Sequence, residues 1–337
     1  MKQVESATWK QSITGFAFIL PGFIMFLVFM CIPSIQSFFL SFTEWSGIGP
    51  KQYVGLNNYI EMFSKDPIYW VSLKNNLLWA VGAATVPIWL GLFLANLLVR
   101  GHLRHTKGFQ VIYFMPQVIS MVAAAIMWKW IYDPFYGPLN RIFAILGMEG
   151  LSQTGWLGDP NMVVPSLFVI YVWKSFGFST VVFIAALQGV DHQLYDASKI
   201  DGCGSWGQFW NVTMPGIRQA MTSVTLLMVV WSFNMFDLVR TTTSGGPGIS
   251  SMVISYYIYH HGFITGRTGY ATAVSVVLAI MVLIFSRTFM YFREKEEGCV
   301  YEENYIWYKS FKCCHSINCR SSCHCTVHSG AADLTKN

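Results

Sequence analysis

The sequence of 337 residues is poor in charge, since Lys, Arg, Asp and Glu together make up 12% of it. Soluble domains carry about 25%, so the composition excludes an ordinary soluble fold. The sequence also lacks the pattern G-x-x-x-x-G-K-[ST], the zinc pattern H-E-x-x-H and the nucleophile pattern G-x-S-x-G. These absences argue against nucleotide hydrolysis by the chain itself and against the metallopeptidase and serine-hydrolase classes. No internal repeat of the kind found in many secondary transporters is visible.

Long apolar segments are the main feature that the sequence does have, with 53% hydrophobic residues, 26 phenylalanines and 13 tryptophans. A bilayer core requires about 20 apolar residues per helix. Six segments meet this requirement, at about 13–42, 77–99, 109–132, 163–187, 221–239 and 270–291. Backbone amides in lipid must be satisfied within the segment, and the apolar runs do not alternate with period two. We therefore expect an all-α membrane protein with six transmembrane helices.

Basic residues concentrate at one end of the predicted helices. They occur near the amino terminus, at 100–107 and at 287–295, whereas the opposite connections are longer and carry them more sparsely. Because Lys and Arg are enriched in cytoplasmic loops, we expect a multi-pass protein of the cell membrane with both termini in the cytoplasm. The predicted organisation is a cytoplasmic amino terminus at 1–12, a membrane domain at 13–292 and a tail at 293–337.

A polar stretch of about 191–216, called the polar loop below, separates the fourth and fifth segments. It predicts a helix on which Asp196 and Ser198 face water, then a sharp turn with positive φ at Gly202 and Gly204. A second short element follows, ended by Pro215 just before the next membrane helix. This second element carries an apolar stripe at helical spacing, formed by Trp206, Phe209, Trp210 and Val212. Both an amphipathic loop on the bilayer and a docking surface for a partner fit this pattern.

The polar loop resembles the E-A-A…D-G-A…F…I-x-L-P signature of ABC-importer permeases. Asp196 stands where that family has Glu, Ser198 and Cys203 where it has Ala, and Met214 where it has Leu. The resemblance continues from about residue 14 to residue 292 and is closest to the carbohydrate-uptake permeases of the oligosaccharide and glycerol-phosphate type. The stretches that carry it outside the loop include 53–59, 115–120, 156–160, 173–178, 232–237 and 245–247.

The resemblance implies the type I ABC-importer permease architecture in a bacterial cytoplasmic membrane. It implies a second permease subunit, ABC ATPase subunits and an extracytoplasmic solute-binding protein as partners, and a sugar-type small molecule as substrate. Membrane lipid surrounds such a subunit, and nucleic acid is not an expected partner. ATP hydrolysis would occur on a separate subunit, so the chain is not expected to be an enzyme or to hold a cofactor. The coupling residues that contact the ATPase would be Asp196, Ala197, Ser198, Asp201, Gly202 and Pro215.

Lys174 lies near the middle of the fourth apolar segment. An unpaired charge there costs at least about 2.5–3.5 kcal/mol on insertion scales, so we expect its ammonium to face a partner helix, a carbonyl or a water-filled path. Asn234 and Asp237 in the fifth segment are candidate partners. A structural pair between helices and a contact to the transported solute both remain open.

Six of the eight cysteines lie between residues 299 and 325, interleaved with histidines. Cys and His are zinc ligands, but their spacing matches no standard zinc pattern, which favours a disordered or appended tail. For the whole chain, a stand-alone secondary transporter or channel is the alternative function. It would predict more intramembrane acidic groups and no docking loop. An intramembrane enzyme would need a nucleophile–base or metal set that the sequence lacks.

Overall fold

The structure is a computed structural model that describes residues 17–101 and 106–315, with side chains described up to residue 293. The chain divides into two units, Met1–Ser286 and Arg287–Asn337. The helices of the first half are α1 (Ala17–Leu40), α2 (Asn57–Ser64), α3 (Pro67–Ala83), α4 (Val86–Arg100), α5 (Thr106–Val118), α6 (Met121–Ile131), α7 (Pro138–Ile145) and α8 (Glu149–Ser152). A short antiparallel hairpin joins β1 (Thr43–Glu44) to β2 (Gln52–Tyr53) between α1 and α2.

The second half is helical in the same way. Its helices are α9 (Val163–Gln188), α10 (His192–Ile200), α11 (Ser205–Gln208), α12 (Met214–Gly216), α13 (Arg218–Phe233), α14 (Phe236–Thr242), α15 (Ile254–Tyr259) and α16 (Thr268–His315). Five-residue π-helical turns occur at Leu27–Cys31, Phe209–Thr213 and His260–Ile264.

Membrane spans occur where the apolar segments predict them. Four unbroken spans are long and apolar enough to cross a membrane: Ala17–Leu40, Pro67–Arg100, Val163–Gln188 and Thr268–Arg293. Two further segments are bent pairs, α5 with α6 at 96° and α13 with α14 at 42°. The described chain thus has four spans, or six if each bent pair is one span. This confirms an all-α membrane fold, and the two bends are features that the hydropathy pattern does not predict.

The second span is longer than predicted, because its helix begins at Pro67 rather than near residue 77. The side chain of Asp66 accepts hydrogen bonds from the backbone N–H groups of Ile68 at 2.9 Å and Tyr69 at 3.2 Å. Proline at the first helical position has a favourable fixed φ and leaves no N–H group unpaired. The Asp66-Pro67 pair therefore starts the helix about ten residues before the predicted segment.

The core lies around α9, which packs along α4 and α5. The approach of α9 to α4 is close enough that a Cβ added at Gly91 would lie 2.5 Å from the Cβ of Ser179. Small residues allow such approach between helices in membranes, where van der Waals packing replaces the hydrophobic driving force. Fully buried side chains of both helices fill the contact, among them Leu92, Ala95 and Ile170.

Two asparagines of α3 hold the loop that precedes α15. Asn75 Nδ2 donates hydrogen bonds of 2.8 Å to the carbonyl oxygens of Ser250 and Met252. Asn76 Oδ1 accepts a 2.7 Å hydrogen bond from the backbone N–H of Ile254. The amino-terminal part of the Pro67–Arg100 span is therefore fixed to the segment between α14 and α15.

Candidate functional site

The polar loop begins as a well-capped helix. The side chain of Asp191 accepts a 2.9 Å hydrogen bond from the backbone N–H of Gln193 at the start of α10. An N-terminal Asp satisfies an otherwise unpaired amide and is also favourable at the positive end of the helix dipole. The direction in which α10 leaves α9 is therefore defined by local chemistry.

The same helix ends in a Schellman motif, which fixes the turn that the glycines predict. The backbone N–H of Cys203 donates to the carbonyl oxygen of Ser198 at 2.9 Å. The backbone N–H of Gly202 donates to the carbonyl oxygen of Lys199 at 3.0 Å. Gly202 has φ +79°, in the left-handed region that favours glycine. The prediction of positive φ is confirmed for Gly202 and wrong for Gly204, whose φ of −69° suits its place before α11.

The exposed face of α10 contains most of the predicted coupling residues. Asp196, Ala197 and Asp201 are exposed, and Asp196 forms a 3.0 Å surface ion pair with Lys199. Ile200, on the same face, is 87% exposed. The prediction that Ser198 faces water is wrong. Its hydroxyl is buried and donates to the carbonyl oxygen of Tyr195 at 2.7 Å, because its position turns it toward the membrane domain.

The second element of the polar loop carries the predicted apolar stripe as a cluster of rings. Trp206 stacks on Phe209 with centroids 5.9 Å apart, and Trp210 meets both rings edge-on. Val212 is buried, whereas Pro215 is exposed within the three-residue helix α12. The break at Ile217, two residues after Pro215, then separates this element from α13.

Arg100 attaches the polar loop to the second span, a contact that the sequence does not reveal. Its Nη2 donates a 2.6 Å hydrogen bond to Thr213 Oγ1, and its guanidinium lies 4.6 Å from the ring centroid of Tyr195. The hydroxyl of Tyr195 lies 3.2 Å from the same Thr213 oxygen. Arg100 enters the sequence pattern only through its charge, because its partners lie about a hundred residues further along the chain.

Lys174 faces the break between α5 and α6, where backbone carbonyl groups have no partner within the helix. Its Nζ donates to the carbonyl oxygens of Gln117 at 3.0 Å and Ile119, with Pro116 at 3.5 Å. These carbonyls border the break between α5 and α6. The expectation that the ammonium meets a partner helix or a carbonyl is confirmed. Pairing with Asp237 is not formed, because Asp237 is exposed on α14.

A cavity of about 180 Å³ lies beside Lys174. It is bordered by residues at both bends, Gln117 and Met121 from the α5–α6 pair and Asn234 and Met235 from the α13–α14 pair. Tyr171, Ser175 and Trp231 complete its wall. The structure thus places Lys174 and Asn234 in the wall of one cavity, and among the described side chains no hydrogen bond joins the two residues.

A second polar cluster lies at the amino-terminal end of the Pro67–Arg100 span. The carboxylate of Asp66 accepts hydrogen bonds from the hydroxyl groups of Tyr257 and Tyr270, in addition to the backbone amides. Burial raises the pKa of Asp66, but the hydrogen bonds from Tyr257, Tyr270 and the two backbone amides together outweigh it and hold the pKa below its usual value. Nearby, Arg267 donates to Glu61 at 2.7 Å. This cluster joins α2, α3 and α15 to the start of α16.

A metal site is not assembled in the part of the chain whose side chains are described, where no group of three or more His, Cys, Asp and Glu could hold an ion. The helix α16 continues to His315. The side chains of the Cys-rich tail lie outside the described residues, so its zinc site and its disorder stay predictions.

Comparisons with known proteins agree with this architecture. Residues 87–293 match the family described as binding-protein-dependent transport system inner membrane component. The chain is 33% identical to the probable ABC transporter permease protein YurN of Bacillus subtilis, over 82% of this chain and 94% of that protein. It is 32% identical to the diacetylchitobiose uptake system permease protein NgcF of Streptomyces coelicolor, over 78% and 77%.

A solved structure supports the fold independently. The crystal structure of a bacterial ABC transporter involved in the import of the acidic polysaccharide alginate contains a chain with a TM-score of 0.73. That match covers 88% of this chain and 99% of that chain at 22% identity. The fold of this solved structure and the signature in the polar loop thus agree with the family match. The chain belongs to the family of inner-membrane components of binding-protein-dependent transport systems.

Proposed function

We propose that the chain is the permease subunit of an ATP-driven importer for a sugar or a related polyol or glycerol-phosphate solute. In this proposal ABC ATPase subunits bind the polar loop, and a second permease subunit completes the pathway. An extracytoplasmic binding protein delivers the solute, and both termini lie in the cytoplasm. The ATP is hydrolysed on the ATPase subunits.

The geometry of the polar loop carries this proposal. The helix α10 is capped at Asp191 and closed by a Schellman turn at Gly202, so it can move as a rigid unit. The charge at Asp196, the small side chain at Ala197 and the exposed side chain of Ile200 leave its outer face open to a close-fitting partner. Movement of ATPase subunits would reach the membrane helices through this unit.

The solute class rests on a relative and on the cavity. NgcF is named as a permease for diacetylchitobiose uptake. The cavity beside Lys174 combines the rings of Tyr171 and Trp231 with the amides of Gln117 and Asn234. Aromatic faces and amide groups suit the apolar faces and hydroxyl groups of a sugar ring. We assign this cavity to the solute path, with Lys174 holding the bend that forms its wall.

A stand-alone secondary transporter or channel is less favoured, because it would leave the exposed face of α10 without a partner. Purification of the tagged chain from its own cells in mild detergent distinguishes the two functions. Co-purified ATPase subunits, and uptake of labelled oligosaccharides into proteoliposomes only when ATP and the binding protein are present, support the importer. Uptake by the purified chain alone, driven by an ion gradient, would contradict it.

A further inference from the structure

Three side chains from three separate parts of the chain meet below the polar loop. Arg100 is the last residue of α4, Tyr195 lies in α10, and Thr213 ends the π-helical turn Phe209–Thr213. We call these three residues the Arg100 clamp. The clamp lies where the cytoplasmic end of the second span is expected, at the opposite end of that span from Asn75 and Asn76.

The hydroxyl group of Thr213 is the centre of the clamp, and its side chain is 0% exposed. Its oxygen accepts the 2.6 Å hydrogen bond from Arg100 and lies 3.2 Å from the hydroxyl of Tyr195. The Thr213 hydroxyl donates a long hydrogen bond of 3.4 Å to the carbonyl oxygen of Gln208. A threonine hydroxyl has one donor and two acceptor positions, so this group is fully used. Such a network has one favourable arrangement, because each partner fixes the direction of the others.

The ring of Tyr195 adds a second contact to the same cation. The guanidinium of Arg100 lies over the ring at 4.6 Å from its centroid, within the range of a cation–π interaction. Tyr195 occupies the inner face of α10, whereas Asp196 and Ala197 occupy the outer face. A force on the outer face is therefore transmitted through Tyr195 to Arg100.

The second span is suited to carry such a movement further. Leu92, Ala95 and Leu98 of α4 are buried, and Gly91 lets α4 lie directly against α9. At the far end of the span, Asn75 and Asn76 hold the loop before α15. The Pro67–Arg100 span, built of α3 and α4 with a two-residue turn at Ala84 and Thr85, thus connects the polar loop to the loop at the other end of the membrane domain.

We propose that Arg100, Tyr195 and Thr213 are positioning residues that couple the movement of α10 to the Pro67–Arg100 span. This inference rests on the proposed function and adds a second route for the movement. The first route is the covalent connection of α10 to α9. The clamp adds a contact to α4. When α10 moves, α9 and α4 are therefore displaced together, and α10 does not rotate by itself about its connection to α9.

The experiment uses the complete complex of both permeases, the ATPase subunits and the binding protein, reconstituted in proteoliposomes. It measures solute transported per ATP hydrolysed for Arg100→Met, Arg100→Lys, Thr213→Val and Thr213→Ser. Arg100→Met and Thr213→Val should each lower this ratio about tenfold, because ATP hydrolysis continues while α4 no longer follows α10. Arg100→Lys and Thr213→Ser retain a cation and a hydroxyl and should keep at least half of the ratio. Arg141→Met, which removes an exposed cation from α7, is the matched control and should match the wild type.

A double variant separates the clamp from general damage. Arg100→Met combined with Thr213→Val should lower the ratio by less than the product of the two single effects, because both changes remove the Arg100–Thr213 hydrogen bond while each also removes its own contact to Tyr195. If Arg100→Met is not recovered folded, Tyr195→Leu on the polar loop makes the same test, since it removes both the ring and the hydroxyl.

The proposal is overturned if uptake and ATP hydrolysis fall in proportion, since an unchanged ratio indicates a merely structural role. It is also overturned if all variants keep the wild-type ratio. Failure of the proposed function has a different signature, because the wild-type complex would then show no ATP-dependent uptake at all.

Discussion

Lys174 Nζ lies 3.0 Å from the carbonyl oxygen of Gln117, which is 57 residues earlier in the chain. The two residues belong to different spans, and Gln117 is next to the end of α5. A helix end leaves carbonyl groups without intrahelical donors. One ammonium with three N–H groups supplies donors to this end, which explains how a bend of 96° is stable inside a membrane domain.

Replacing Lys174 by Met should destabilise the fold at this bend. The change leaves the carbonyls of Gln117 and Ile119 without their donor, and a buried polar group without a partner costs about 1–3 kcal/mol. The melting temperature of the purified protein in detergent should fall. Lys129→Met is the control, because Lys129 is exposed on α6, and it should leave the melting temperature unchanged. Equal melting temperatures for both variants would contradict the assignment.

The close approach of α9 to α5 makes Gly177 sensitive to a single methyl group. A Cβ at this position would overlap the backbone carbonyl of Tyr113, which cannot move as a side chain does. Gly177→Ala should therefore destabilise the protein by about 1–3 kcal/mol. Gly108→Ala lies on α5, where a Cβ meets nothing within 4 Å, and should be tolerated. The folded fraction after detergent extraction measures both, and similar recovery of the two variants would count against the packing.

Asp66 should contribute more to stability than an ordinary helix-capping residue. Asp66→Ala removes the acceptor of two tyrosine hydroxyls and two backbone amides. Asp133 accepts only backbone amides, those of Phe135 and Tyr136 at 2.9 Å. Asp133 lies in the turn before α7, and a typical hydrogen bond contributes about 0.5–1.5 kcal/mol, so Asp133→Ala should lower the melting temperature slightly and Asp66→Ala at least twice as much. An equal effect would mean that the tyrosine hydroxyls add nothing.

The polar cluster around Asp66, at the amino-terminal end of the Pro67–Arg100 span, should lose stability in mild acid. Burial lowers the pKa of His261, and His260 and Arg267 act in the same direction, whereas Asp66 and Glu61 oppose them. The unfolded chain takes up a proton near pH 6.5, while the folded protein keeps this imidazole neutral to lower pH. Stability is therefore complete above about pH 6.5 and falls below it, until the folded-state pKa is reached.

Melting temperatures between pH 7.5 and pH 5 measure this effect. His261→Gln should flatten part of the decline. His192→Gln changes an exposed histidine on α10 and should keep the wild-type profile. If the melting temperature of His261→Gln falls with pH as steeply as that of the wild type, other groups cause the decline.

The sequence predicts the spans well because their apolar character is local. The predicted segment at 163–187 differs from the helix Val163–Gln188 by one residue. The causes of the bends are not local in sequence. The break after α5, for example, is stabilised by Lys174, which belongs to another span. The Arg100 clamp was missed for the same reason, because no spacing rule connects Arg100 to Thr213.

Small errors within the polar loop have physical causes of the same kind. Glycine permits positive φ but does not require it, so Gly202 adopts it and Gly204 does not. Which face of a short helix is buried depends on the domain below it. That packing turns Ser198 inward while Asp196 remains exposed.

The central claim is that ATP-driven movement enters the permease through the polar loop, and Gly202 offers the most direct measurement. Gly202→Val forces a β-branched residue into φ +79°, at a cost of order 1–3 kcal/mol. It should therefore distort the end of α10 without filling any packed space. Gly204→Ala has an ordinary φ and open space around it, and serves as the matched control. We expect ATP-dependent uptake in the reconstituted complex to fall at least tenfold for Gly202→Val and to stay at the wild-type level for Gly204→Ala. Full uptake with Gly202→Val, in protein that is folded and assembled, would contradict the account.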